Sequence, residues 1–269
     1  MKPTPYDILE KIRRQKPVVH HLTNWVTIYD CAQIVKTLGG SPVMAHAPEE
    51  VAEMTQIASA LVLNLGTLTV EFVEAMKLAA AAANRRVIPV VLDACGVGAT
   101  RFRDANCLEL LEVAHMDIIK GNASEIARLA GETAFTKGVD AGEVKGNIAR
   151  LAQGLARQRK ALVVVTGETD IVTDGKQTWR VQNGHPLMTR VVGTGCMASS
   201  VIGAFAAVEP NLALAAASGL ACYEIAAELA AEEAPSPASF KVKLFDCLYT
   251  LDRATVEARL QMERNEDPE

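Results

Sequence analysis

Short runs of β-branched and aliphatic residues recur along this chain, each closed by turn residues and followed by a longer stretch with helical spacing. The runs are Val18 to Leu22, Ala60 to Leu65, Val87 to Leu92, Asp117 to Ile119 and Leu162 to Thr166. Between them, Asp30 to Leu38, Val70 to Ala83 and Val144 to Arg159 place apolar residues three and four positions apart. Runs that lack polar alternation are strands covered on both faces, and strands that alternate with helices join in parallel. The pattern predicts an α/β fold, a mostly parallel central sheet flanked by helices on both faces. Ile171 to Val181, broken at Asp174-Gly175, reads as a hairpin with a tight two-residue turn. From Met197 to about Leu260 the chain is alanine-rich and helical, interrupted at Pro210 and at Pro235-Ser236-Pro237. The end, Glu263 to Glu269, reads as a solvated tail. With no linker or repeat to divide it, residues 1–269 are expected to form a single domain.

Charge and composition narrow the function classes. The 269 residues carry 27 Lys+Arg against 32 Asp+Glu, a net charge of −5. Such a chain has no basic footprint for nucleic acid and no polybasic segment for an anionic membrane. Aromatic residues are only 4%, so the core falls to Ala, Val, Leu and Ile. The six cysteines contain no C-x-x-C pair, which suits a reducing compartment, and the cytoplasm is the expected location. Met1 to Lys16 lacks the apolar core of a secretion signal. Val191 to Val208 is uncharged, but its Gly, Ser and Thr residues suit a buried helix better than a membrane span.

Three polar, glycine-rich segments stand at the ends of strand runs, where an open α/β sheet binds its ligands. Gly193-Thr194-Gly195-Cys196 opens the long small-residue helix. Amides at such a start face outward beside the positive end of the helix dipole, which suits a phosphate. The competing reading is an ordinary loop-to-helix turn, with Cys196 a buried structural thiol. Asn122-Ala123-Ser124-Glu125 reads either as a helix capping box or as the amide and carboxylate that organise hydrated Mg²⁺ beside phosphates. The two roles are compatible. Asp93 is a second candidate magnesium-directed carboxylate, or a turn cap. The chain has neither a P-loop nor the G-x-G-x-x-G fingerprint, no G-x-S-x-G element, and no histidine pair at metal-ligand spacing.

Together these segments resemble the hydroxyethylthiazole kinases, enzymes of thiamine salvage with the ribokinase-like fold. The resemblance is carried in order by His21-Leu22-Thr23-Asn24, the stretch from Ser41 through Met44 to Glu50, Asn64-Leu65-Gly66-Thr67-Leu68, Lys120 to Glu125, Val165-Thr166-Gly167, Asn183-Gly184-His185 and Val192 to Cys196. It implies transfer of the ATP γ-phosphoryl to the primary hydroxyl of 4-methyl-5-(2-hydroxyethyl)thiazole, with Mg²⁺ as cofactor. It also implies a homotrimer with active sites at the subunit interfaces.

The same resemblance assigns residues. Gly193, Thr194, Gly195 and Cys196 form the catalytic anion loop, with Cys196 where larger relatives carry an Asp base. Lys120, Asn122 and Thr166 match nucleotide-contacting positions, and Asp93 and Glu125 match the magnesium-organising carboxylates. Met44 and Gly193 match thiazole contacts, with Asn24, Gly66 and Thr67 as neighbours in that pocket. Asn24, Met44 and Cys196 favour this family over ribokinase-like pyrimidine kinases, and Cys196 favours it over the nucleotide-dependent hydratases of the same scaffold. One segment departs from the family pattern: Asp93-Ala94-Cys95-Gly96 stands where Asp-Pro-Val-Gly is usual. Without the proline, the turn regains a free φ and an N–H.

Overall fold

Each aliphatic run becomes a strand of one central sheet in the computed structural model, which describes residues 4–132 and 147–266. β1 (Val18–Leu22), β2 (Ser41–Val43), β3 (Ala60–Asn64), β4 (Val90–Asp93), β5 (Ile118–Asn122) and β6 (Leu162–Thr166) are parallel, side by side in the order β2-β1-β3-β4-β5-β6. The antiparallel strands β7 (Asp170–Thr173), β8 (Gln177–Val181) and β9 (Met262–Glu266) complete the nine.

Alternation along each strand fills two cores. Val19, Val62, Val91, Ile118 and Val164 pack with α1 (Pro5–Gln15), α2 (Ile28–Leu38), α8 (Thr194–Ala206), α9 (Leu212–Glu233) and α10 (Pro237–Thr250). Leu61, Leu63, Leu92, Ile119 and Val163 pack on the other face with α4 (Val70–Arg86), α5 (Arg101–Val113) and α7 (Ile148–Arg159). Truncating a buried Leu in such a layer costs about 2–5 kcal/mol. Short helices α3 (Val51–Gln56), α6 (Ala123–Leu129) and α11 (Arg253–Arg259) complete the set. Helix α8 lies flush on the sheet because Gly203 has no side chain; a Cβ there would stand 2.5 Å from Val62 Cγ2.

Several boundaries differ from the sequence expectation. The run expected from Val87 starts at Val90, because α4 extends to Arg86 and Val87 closes it in the left-handed region at φ 55°. The Asp174-Gly175 hairpin forms, but three residues separate its strands, with Gly175 at φ 86°. The expected helix over Val144 to Arg159 is seen as α7 from Ile148; its expected start lies outside the described residues. Of the expected tail, residues 263–266 belong to the edge strand β9, whose Arg264 guanidinium sits 5.7 Å from the Trp179 ring, and the rest lies outside the described residues. Charged residues suit an exposed edge, and they hide the strand from a hydrophobic pattern. Helix α1, which the sequence reading passed over, buries Ile8, Leu9 and Ile12 and carries a capping box from Thr4 and Asp7.

Among the described residues one helix, α9, is long and apolar enough to cross a membrane, but 78% of its apolar window is buried inside the fold.

Candidate active site

The strand order reverses between β1 and β3, so the chains leaving their carboxyl ends diverge and open a crevice. Asn24 and Asn64 stand on its two sides. Asn24 Nδ2 donates to Asn64 Oδ1 at 2.9 Å, while Asn24 Oδ1 accepts from the amides of Val26 and Thr27 at 3.1 and 3.0 Å. Gly66 lies tight against this pair, and a Cβ there would stand 2.5 Å from Asn24 Cβ. Thr67 Oγ1 accepts from the Trp25 amide at 3.1 Å. Asn24, Gly66 and Thr67 therefore share one crevice. Met44 follows β2, and its loop reaches the same place through His46, whose ring meets Trp25 edge-on at 4.9 Å.

Helix α8 starts beside this crevice. Its N-cap, Gly193, has φ 94° and no side chain to satisfy the first-turn amides. The amides of Thr194, Gly195 and Cys196 precede the first possible intrahelical bond, so they remain available to an anion. Any side chain at 193 would strike Thr27, at 2.6 Å from its Cγ2. The Thr194 hydroxyl is already committed to the Met188 carbonyl at 2.9 Å, which leaves only its backbone to serve a phosphate.

Cys196 Sγ lies 3.3 Å from Asn24 Nδ2 and 3.4 Å from Asn64 Nδ2. The influence of the Cys95 thiol, aided by Lys120, brings the Cys196 thiol down to about 7 against the opposing effects of burial and Asp93. Cys95 is held correspondingly high.

Beneath the loop, Lys120 Nζ donates to the Gly195 carbonyl at 3.0 Å and pairs with Asp93 at 3.4 Å. Burial alone would lower this ammonium, but Asp93 and Glu125 outweigh it and keep it charged. Removing one partner of so buried a pair costs about 3–5 kcal/mol. Asp93 Oδ2 also accepts from Asn64 Nδ2 at 2.9 Å and from Ser199 Oγ at 2.7 Å.

Glu125 is both a cap and a buried carboxyl. Its oxygens accept from the Asn122 and Gly96 amides, each at 2.7 Å, and Asn122 Oδ1 accepts from the Glu125 amide at 3.0 Å. Burial pushes the Glu125 carboxyl up to about 7. Among the described residues no three acidic, His or Cys side chains gather closely enough to cage a metal. Two buried carboxyls beside a turn of uncommitted amides would instead suit Mg²⁺ that keeps its waters and shares its shell with nucleotide oxygens.

Thr166, paired with Asn122 across β5 and β6, lines a cavity of about 700 Å³ with Gly195, His185, Tyr223 and Glu224. Lys120 and Asn122 are not in its wall but neighbour residues that are, Lys120 through the Gly195 carbonyl and Asn122 through Thr166. Asp170 and Glu224 both line that cavity, and burial raises both carboxyls.

Sequence reasoning left Asn64, Ser199, Asp170 and Glu224 without a role. Asn64 ends an aliphatic strand at the switch point, and Glu224 is a lone acid in the apolar part of α9. Either position was a usable signal. Ser199 and Asp170 gave none, since their importance arises only from the packing of α8 and β7.

A model of the hydroxyethylthiazole kinase family matches residues 9–254. The hydroxyethylthiazole kinase of Methanosarcina mazei is 53% identical over 255 residues, covering 95% of this chain and 98% of that protein. That of Desulforudis audaxviator is 47% identical over 260 residues, covering 97% and 95%. The solved hydroxyethylthiazole kinase structure from Pyrococcus horikoshii superposes with a TM-score of 0.88 at 39% identity, covering 97% of this chain and 99% of that one. A ribokinase-like superfamily protein from Enterococcus faecalis shares the fold at a TM-score of 0.63 and 13% identity, over 90% of this chain and 93% of that one.

Proposed function

This chain belongs to the hydroxyethylthiazole kinase family, and from that premise we propose that it transfers the γ-phosphoryl of ATP to the primary hydroxyl of 4-methyl-5-(2-hydroxyethyl)thiazole, releasing the thiazole phosphate and ADP. The observation that carries this reading is the uncapped first turn of α8, which lies between the crevice of Asn24 and Asn64 and the Asp93–Lys120 pair. An alcohol in the crevice would meet a phosphoryl group at the turn from the other side.

Phosphoryl transfer asks for positioning and charge stabilisation more than for covalent chemistry. The amides of Thr194, Gly195 and Cys196 meet the charge on the moving group, and Lys120 adds a fixed positive charge beneath them. Thr166 and the cavity it lines receive the nucleotide, and Asn122 holds the strand end beside them. Met44, Gly193, Gly66 and Thr67 shape the alcohol side. Cys196 takes the hydroxyl proton, oriented by the amide groups of Asn24 and Asn64. A thiol is a modest base, so the anion turn carries most of the rate.

Asp93 and Glu125 are the residues that would hold Mg²⁺, through its water shell. Bound there, the ion would neutralise phosphate charge.

The apolar side chains beside the crevice support a homotrimer with sites between subunits: Trp25, Val26, Tyr29 and Val70 are 55, 67, 74 and 64% exposed. Six free thiols favour the cytoplasm. One continuous sheet favours a single kinase domain over 1–269.

The test is ADP release from purified protein with ATP and Mg²⁺, with and without the thiazole alcohol, and the product identified by mass. Thiazole-dependent release with a phosphorylated product is expected. Release that depends on a hydroxymethylpyrimidine instead would move the substrate and overturn the reading.

A further inference from the structure

Strand pairing ends just short of the alcohol side of the crevice. β1 and β2 pair as far as His20 and Val43, so Met44 and Ala45 stand beyond the last paired residue. A side chain takes over there. His20 Nε2 lies 2.7 Å from the Ala45 carbonyl, and Nδ1 lies 3.0 Å from Thr55 Oγ1 of α3. Both His20 and Thr55 are fully buried. A carbonyl can only accept, so Nε2 carries a hydrogen and donates it to Ala45. Burial lowers the imidazole pKa, so the ring is neutral and Nδ1 accepts from the Thr55 hydroxyl. That hydroxyl also lies 2.8 Å from the Val51 carbonyl, which ties Thr55 to its own helix. Beyond Ala45 the contacts run on into the crevice. His46 Nδ1 lies 3.3 Å from the Met44 carbonyl, and its ring meets Trp25 at 4.9 Å and Phe72 at 6.2 Å.

We propose that His20, oriented by Thr55, is a positioning residue for the alcohol substrate: it holds the Ala45 carbonyl and so sets where Met44 stands in the pocket. Without the imidazole, the Ala45 carbonyl loses its donor and turns toward water, carrying Met44 and His46 with it. The anion turn on α8 and the cavity beside Thr166 hang on other elements, so the loss falls on one substrate and spares the other.

The effect on turnover rests on the kinase reading; the anchor does not, and Trp25 reads it separately. Steady-state kinetics with thiazole and ATP varied in turn compare the parent with His20 and Thr55 variants. His20→Leu is expected to raise the thiazole KM at least about tenfold, with the ATP KM within about twofold of the parent. His20→Gln, whose side-chain amide can donate to the same carbonyl, is expected to recover most of that loss. Thr55→Val should raise the thiazole KM in the parent and add nothing in His20→Leu, while Thr55→Ser keeps the hydroxyl and matches the parent. Equal rises in both KM values, a fall in kcat alone, or an independent effect of Thr55 would overturn the positioning role. Should His20→Leu fail to fold, Thr55→Val against Thr55→Ser reads the same split.

The chain has two tryptophans, so Trp179→Phe leaves Trp25 as the reporter. In that background His20→Leu is expected to shift Trp25 emission and increase its quenching by acrylamide, and His20→Gln to restore both. An unchanged Trp25 would overturn the anchor whether or not the parent phosphorylates the thiazole. A Trp25 response in a protein that does not turn over the thiazole would uphold the anchor and remove only the kinase reading.

Discussion

Asn24 donates its side-chain amide to Asn64 at 2.9 Å, tying the loop after β1 to the end of β3 across the point where strand order reverses. Both residues also direct an amide hydrogen at Cys196 Sγ. Replacing Asn64 therefore strips the crevice of a brace and Cys196 of a donor, and it leaves Asp93 short of one bond. Asn64→Ala is expected to lower kcat at least about tenfold and stability by roughly 1–3 kcal/mol. Steady-state kinetics with urea unfolding checks both, and an unchanged kcat would remove Asn64 from the site.

The surroundings of Cys196 would receive a carboxylate well. Two amide donors and the Lys120 charge already face that position. Cys196→Asp is expected to match or exceed the parent rate, since a carboxylate there gains hydrogen bonds that a thiol makes only weakly. Cys196→Ala keeps the anion turn and should retain a residual rate, down by about 10²–10⁴. Single-turnover measurements of both variants decide the matter. A folded but inactive Cys196→Asp would count against a base at this position.

Glu125 separates catalysis from folding. A Gln can still accept one of the two amides that Glu125 holds, so Glu125→Gln should cost only about 1–2 kcal/mol of stability. Its turnover should fall by more than about a hundredfold, because a neutral amide holds hydrated Mg²⁺ poorly. Activity against Mg²⁺ concentration, alongside thermal unfolding, reads the two effects. Normal turnover with large destabilisation would leave Glu125 as a helix cap alone.

His21 makes stability depend on pH. It is buried, with Nδ1 3.0 Å from the Val19 carbonyl and Nε2 3.1 Å from Ser200 Oγ, and burial lowers its pKa to about 4. The unfolded imidazole, with its ordinary value near 6.5, takes up a proton that the folded one refuses. The His21 contribution is therefore complete above about pH 6.5 and is lost as pH falls toward 4. Between pH 7 and pH 5 it should amount to about 2 kcal/mol. Urea unfolding of the parent and of His21→Leu at both pH values isolates this part, and parallel losses in the two proteins would refute it.

Val87 offers a gain. A β-branched residue at φ 55° is strained, and this one is 89% exposed with no packing to lose. Val87→Gly is expected to raise stability by about 1 kcal/mol and shift Tm upward with activity unchanged. A lower Tm would show that the turn tolerates valine without strain.

The architecture was legible wherever both faces of a strand are apolar: β1, β3 and β6 begin where their runs begin, since nothing but a doubly covered sheet accommodates such residues. β9 was not, because Met262 is followed by an unbroken run of polar residues that an edge strand carries at little cost. Of the candidate site, the glycine turn and the capping box could be read because their function is local. The partners of Cys196 could not. Asn64 and Cys95 lie far from it in sequence, and their roles exist only once α8 has settled on β3 and β4.

Helix α8 is wedged on two sides. Gly203 sits against Val62 of β3, and the Phe205 ring occupies the place a side chain at Gly219 of α9 would need, 3.2 Å from such a Cβ. The helix therefore cannot slide along its axis, and the turn at its head keeps its distance from the sheet whatever occupies the crevice. The loops leaving β1 and β3 are wedged against each other, Gly66 on Asn24, rather than into the sheet. Descendants of this scaffold can exchange those loops and take up a different alcohol while inheriting the anion turn unchanged, so new specificity need not rebuild the machinery that handles phosphate.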